Sequence, residues 1–211
     1  YGTRLDLIQR REIAKRDGRE FVEKHWCNSP LNRLQGKTPI EASHDPSLKV
    51  QLAAALHVLE SVSDVAMLYD DGMELRRTLN IEPEAPLEVA EDNQLNTLSV
   101  LESHRLRISE LSDDQLGHIV HRALLIRHVP FAYRVLKEVA VRGIDRIQGI
   151  ETIMFQWTAA QVCRELGRHD EAIQWLKEGR DEVEKGDNFE AQLQWAMREF
   201  QFRIENRSDP E

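Results

Sequence analysis

Cysteine is scarce in this chain of 211 residues: Cys27 and Cys163 are the only two, far apart and each in an apolar helical context. That excludes a disulfide-stapled scaffold or a thiolate metal cage. It fits reduced, partly buried thiols in a reducing compartment, so a cytoplasmic location is expected. Long hydrophobic runs are missing too. The densest stretch, Leu52–Leu59, falls well short of the roughly 20 residues needed to span a bilayer, and it contains His57. No apolar signal-peptide core opens the chain. It begins with Tyr rather than Met, so it is read as a fragment or processed form with sequence upstream.

Catalytic signatures are equally thin. There is no HExxH, no Cys pair and no Gly-rich phosphate loop. Gly36-Lys37-Thr38 ends like such a loop, but it lacks the upstream glycine and strand that cradle a phosphate. His118 and His121 lie three apart, with His128 beyond, yet a metal site needs three or four converging ligands. They are read as surface or groove-lining residues. Ser29, Ser43 and Ser112 sit at turns and helix starts, which explains them without a nucleophilic role. The carboxylates fall on charge-alternating helix faces, with no apolar pocket to raise a pKa. No catalytic, metal or cofactor-binding residue is therefore expected, and the chain is read as non-enzymatic.

What the sequence does contain suits a soluble globular protein: 41% hydrophobic and 31% charged residues. Its net charge of −9 is uneven. Residues 1–60 carry 10 Lys/Arg against 8 Asp/Glu, and residues 61–211 carry 18 against 29. An acidic C-terminal part is a poor partner for phosphate backbones. Arg10, Arg11, Lys15, Arg16 and Arg19 are interleaved with Glu12, Asp17 and Glu20, as on the solvated face of a helix. Neither nucleic acid nor a membrane is expected as a partner; another protein or peptide is, with a homo-oligomer left open.

Along the chain, helical signals dominate. Residues 3–27 read as one helix with Thr3 as N-cap and Leu7, Ile8, Phe21, Val22 and Trp26 as apolar anchors, stopped by Asn28-Ser29-Pro30. Thr38, Pro39 and Glu41 spell a capping box with proline at the first helical position. Gly36 before them is placed for a backbone conformation closed to other residues. Asp45-Pro46 starts a helix over 46–61 with Leu48, Leu52, Ala55, Leu56 and Leu59 as its buried stripe. Asp71 to Glu74 caps a short helix over 73–79. Residues 81–96 hold Pro83, Pro86 and five acids without a sustained period, so the domain boundary is placed in an acidic connection over 81–111. Its second half, 97–111, allows a short strand as well as a helix. Ser112 and Gln115 form a second capping box, with Leu111 and Leu116 as a hydrophobic staple and Leu116, Val120, Ala123 and Leu124 facing a core. A helix over 130–142 follows, with Ala132, Val135, Leu136 and Val139 inward and Gly143 as its stop. The last helix, 188–206, carries Phe189, Leu193, Met197, Phe200 and Ile204 on one face.

Residues 153–186 read as two antiparallel helices around a Gly-containing turn, with Ala160, Leu166, Gly167, Ala172, Leu176 and Gly179 at the contacts. This spacing resembles a tetratricopeptide repeat, whose period is 34 residues. Counting 34 from Ile153 reaches Asp187, where another helix begins. Residues 112–143 share the shape but carry His-Val-Pro at the turn, a degenerate repeat. The resemblance implies an array closed by a terminal capping helix and a partner groove lined by Trp157, Gln161 and Arg164. Asp114, His121 and Leu125 are equivalents in the degenerate repeat, and Trp195 and Arg198 in the last helix. A second, local resemblance rests on Leu34-x-Gly36-x-Thr38-Pro39-x-Glu41, preceded by Trp26. It is similar to the toxin-binding segment of Xre/MbcA/ParS-type antitoxins and to the tail of some transposase integrases.

The expectation is an all-α fold: a helical N-terminal region, 1–80; the connection, 81–111; and a tetratricopeptide-like hairpin array, 112–211. The expected function is a non-catalytic protein-interaction or scaffold module. The alternatives are an antitoxin-like regulator that clamps a toxin through residues 26–60, and the accessory C-terminal part of a larger enzyme.

Overall fold

The computed structural model describes residues 7–61, 74–82, 84–89, 92–103, 105–126 and 128–205. Among them the fold is all-α, and the one β feature is an isolated parallel bridge between Leu87 and Leu106. Of the sequence-derived features, Thr3, Asp71 and the side chains of Leu7 and Ile8 lie outside the described residues.

Helix α1 spans Leu7–Lys24. Its last carbonyls are taken by the Asn28 amide, which donates to Glu23 O and Lys24 O, and by Ser29 Oγ, which donates to His25 O, so the chain end needs no further turn. Val22 is buried and Trp26 half-buried, but Phe21 is 62% exposed and lies against His25 instead. Neighbouring helix positions are about 100° apart, so Phe21 and Val22 do not both face one core. The anchor expected at Phe21 is thus corrected.

The chain then reverses in short steps. Single 3₁₀ turns at Trp26–Asn28 and Asn32–Leu34 lead into Gln35 and Gly36, both at positive φ (57° and 81°). Thr38 caps helix α2, Pro39–Ser43, with the full reciprocal box: Glu41 N–H donates to Thr38 Oγ1 and Thr38 N–H to Glu41 Oε2. Asp45 caps a 3₁₀ turn, Pro46–Leu48, and pairs with Lys37 Nζ at 2.6 Å. Helix α3, Lys49–Glu60, follows, and α4 is Glu74–Thr78. Leu34, Leu48, Leu52 and Leu56 close a first core with Val22, Cys27, Leu75, Leu79 and Ile81; Leu59 is half-buried against it.

The stretch expected as an acidic connection makes contacts on both sides. Ile81 belongs to the first core, whereas Leu95, Leu98, Leu106, Ile108 and Leu111 enter the second. Leu95 sits in α5, Asp92–Thr97, which precedes α6, Val100–Ser103, and a 3₁₀ turn at Ile108–Glu110. Over 97–111 the described residues form only these short helical pieces, and Leu106 makes the isolated bridge to Leu87. Glu84 ties the regions together, accepting from His57 and lying 3.7 Å from Arg76 and 3.6 Å from Arg105. Arg76, 2% exposed, also clasps Glu60, with Nε to Oε1 at 3.0 Å.

Helices α7, Asp113–Leu125, and α8, Val129–Arg142, form the centre of the second core. Ser112 and Gln115 make the expected capping box, with Leu111 and Leu116 both buried beside it. Leu124 points outward, contrary to expectation, because Leu116, Ile119, Val120 and Ala123 already fill the inward face. His128 Nδ1 accepts the Phe131 N–H at the start of α8. Helices α9, Thr152–Glu165, and α10, His169–Glu184, turn on Gly167 (φ 75°). The final helix, α11, is Phe189–Glu205, with Asn188 Oδ1 accepting from Ala191 N–H. Helices α7 and α9 start 39 residues apart, and α9 and α11 start 37 apart. Part of the longer interval is the 3₁₀ turn Ile144–Arg146 and the loop after it, where Ile147 is buried.

Candidate partner-binding surface

The hairpin α9–α10 closes on small residues, Ala160 and Ala172, with Leu176 beside them, and α11 lies across it. One steric fit fixes that arrangement. Gly179 lets the Trp195 indole sit on the α10 backbone, since a Cβ built on Gly179 would lie 2.1 Å from Trp195 Cζ2. Trp157 meets Trp195 edge-on (centroids 6.2 Å apart, 79°) and Phe202 likewise (6.3 Å, 70°), geometries that suit the ring quadrupoles. The guanidinium of Arg198 lies 5.8 Å from the Trp157 centroid, and that of Arg164 lies 5.1 Å from Phe202. Glu199 is buried between Arg180 and Arg203, both donating to it. Burial works to raise that carboxyl, but the two guanidinium hydrogen bonds outweigh it and hold Glu199 below the usual carboxylate range.

The structure brings Trp157, Arg164, Trp195 and Arg198 of the expected groove into this one seam. Trp195 is committed to packing at 2% exposure, whereas Trp157, Gln161, Arg164 and Arg198 are half-buried. The Arg164 carbonyl accepts from the Arg11 guanidinium, so α1 reaches the end of the hairpin. His121 and Leu125 sit elsewhere, on the exposed side of α7, which packs against α5 and α8.

The feature that sequence reasoning misplaced is the outer face of α11. Phe189, Leu193, Met197, Phe200 and Ile204 share one face, which a helix covering the end of an array would turn inward. All five point outward, between 50% and 74% exposed, and Trp195, Glu199 and Phe202 are buried in their stead. The correction has a physical cause: α11 is apolar on two opposite faces, and the gap left by Gly179 accepts the face that carries an indole.

No protein-family model, curated protein or solved structure matches this chain.

A second concavity, about 680 Å³, lies between residues 76–86 and α8. Arg105, Arg134 and Lys137 line it, but their charge is largely answered within the fold. Glu84 faces Arg105, Glu171 lies 3.5 Å from Lys137, and Arg134 donates to the carbonyls of Ser103 and Leu106. Tyr133 donates to Glu171, and burial with that bond pushes its phenol up to about 12. Burial likewise raises the thiols of Cys27 and Cys163 to about 11, so both are protonated at neutral pH. Among the described residues, no three of His, Cys, Asp and Glu come together in a way that would hold a metal ion. No described helix is long and apolar enough to cross a membrane.

Each residue of the Leu34-to-Glu41 motif has a local structural role. Leu34 is buried, Gly36 takes positive φ, and Thr38, Pro39 and Glu41 build the helix start.

Proposed function

We propose that this protein is a non-catalytic helical interaction module, displaying a protein-binding surface on its last helix and on the rim of the α9–α11 seam. The observation that carries this reading is the apolar outer stripe of α11. The opposite face of the same helix is locked by Trp195 on Gly179 and by the Arg180–Glu199–Arg203 cluster, so the stripe is presented on a stiff support. A contiguous exposed patch of large apolar side chains is where soluble proteins meet partners. Terminal helices that merely close an array carry a polar outer face. Around the stripe, the rim offers Trp157 with Arg198 over it and Gln161 beside it, the aromatic and guanidinium chemistry that dominates interface energetics. Arg164, and His121 and Leu125 on α7, are further contact candidates.

The test is affinity purification with the full chain and with a variant carrying Phe189→Ser, Met197→Ser and Phe200→Ser. Proteins retained by the wild type and lost by the variant, with helicity unchanged, support the module. An identical set of retained proteins contradicts it. Trp157 and Arg164 are poorer probes, because both pack on Phe202 and their loss would loosen α11 itself.

A further inference from the structure

The outer stripe of α11 has the spacing of a helix–helix seam. Leu193, Met197, Phe200 and Ile204 follow at intervals of four, three and four residues, the alternation that keeps an apolar line on one side of a helix facing another helix. Phe189 extends the line by one turn. Trp195 and Phe202 lie on the opposite side of α11, in the core, so a helix can lie along the stripe without disturbing the fold. The edges of the seam are Gln194 and Gln201 on one side and Ala196 and Arg203 on the other. Arg203 is paired with Glu199 at 2.7 Å, a carboxylate it shares with Arg180.

Those edges decide what fits. A chain of net charge −9 repels its own copies over most of its surface. Between Leu193 and Ile204 this face carries none of that excess. It sets two amides, a methyl group and a guanidinium paired with Glu199 beside the apolar line, where carboxylates would repel a second copy. We propose that α11 packs antiparallel against α11 of a second copy of this chain, forming a two-fold dimer. The proposal rests on the interaction-module reading and names its partner.

In this arrangement Leu193 and Met197 of one copy lie opposite Ile204 and Phe200 of the other. The small Ala196 at the edge lets the two helices approach closely. Antiparallel packing opposes the two helix dipoles and sends the two Arg203 side chains to opposite ends of the seam. It also makes the contact isologous, so one patch serves both copies and the assembly closes at two. The four paired side chains, Leu193, Met197, Phe200 and Ile204, expose roughly 500 Å² per copy. Two copies therefore bury about 1,000 Å², at the lower edge of what a biological interface needs. That size and the lack of interfacial ion pairs predict a reversible dimer, with a dissociation constant on the order of micromolar.

The test is sedimentation velocity of the full chain from about 1 to 200 μM, beside Met197→Glu/Phe200→Glu and a control, Val50→Glu/Val58→Glu, which puts the same two charges on exposed valines of α3. The wild type and the control should rise toward twice the chain mass with concentration. The double variant should have its dissociation constant raised about 100-fold or more, so that it is mostly monomeric at about 10 μM, where the wild type is mostly dimeric, with unchanged circular dichroism. Orientation is read by oxidative cross-linking: Leu193→Cys mixed with Ile204→Cys should couple efficiently, and Leu193→Cys alone poorly. A wild type monomeric throughout, a double variant that dimerises as tightly as the wild type, or Leu193→Cys coupling to itself as readily as to Ile204→Cys would each overturn the proposal. A monomeric wild type whose stripe still retains a different protein removes the dimer and leaves the module. A monomeric wild type whose stripe variant changes no retained protein removes both.

Discussion

Residues 26–48 and helix α11 are both held in place by close fits, but of opposite kinds. In the first region the chain reverses repeatedly through contacts between near neighbours. Asn28 and Ser29 close α1, Gln35 and Gly36 turn at positive φ, Thr38 and Glu41 start α2, and Asp45 starts the turn after it. The last helix has one local device, the Asn188 cap, and its placement depends on side chains far away in sequence: Gly179 beneath Trp195, Arg180 on Glu199, and Trp157 against Phe202. Contacts between neighbours decide where a helix begins. Contacts between distant residues decide which of its faces is hidden.

The contrast predicts how each region fails. The largest effect is expected from Gly179→Ala. The added methyl collides with a buried indole that has no room to swing away, so α11 should lift off at a loss of about 3 kcal/mol or more, measured by urea denaturation. A normal denaturation midpoint would mean that the indole does not sit on this backbone. Next is Arg76→Met, which leaves Glu60 and Glu84 without their buried guanidinium. A loss of about 2–4 kcal/mol is expected, toward the low end because both carboxylates keep some contact with water. Losing a cap is milder: Thr38→Ala should lower stability by about 1 kcal/mol and leave α11 untouched. Amide exchange should show the protection loss confined to residues near α2, and a global loss would contradict the local account.

The smallest effect is a pH slope. Burial depresses the His128 imidazole below its ordinary value, opposed in part by a hydrogen bond with the Glu60 backbone, and its Nδ1 must stay unprotonated to accept from Phe131. A depressed pKa means that this contribution is complete above the ordinary imidazole value of about 6.5. It is lost as pH falls through the lowered one. Melting temperature should therefore fall between pH 7 and 5 in the wild type. His128→Asn keeps a helix cap and should show a shallower fall; parallel profiles for the two proteins would exclude the residue as the source.

The same contrast explains what could be read from the sequence. Both capping boxes, the glycine turns at Gly36 and Gly167, the α9–α10 hairpin and the all-α class follow from spacing within a few residues. The orientation of α11 was not legible, because its stripe of five apolar residues is the stronger amphipathic signal and yet faces out. The information that overrides it is the missing side chain of Gly179, which periodicity alone does not weigh against Trp195 and Phe202. Phe21 and Leu124 failed for a related reason: each neighbours a better-placed apolar residue, and only packing chooses between them. The expected groove residues were brought together where they share the α9–α11 seam and kept apart where they lie on α7.

The most direct check is a pair of substitutions two residues apart, Phe202→Ser and Phe200→Ser, compared by chemical denaturation at a concentration low enough to keep the chain monomeric. Phe202 is buried against Trp157, and Phe200 lies on the outer stripe. Phe202→Ser should cost about 3–5 kcal/mol, and Phe200→Ser no more than about 0.5 kcal/mol. Equal losses, or a larger loss at Phe200, would mean that α11 hides the other face and that the surface proposed for binding does not exist.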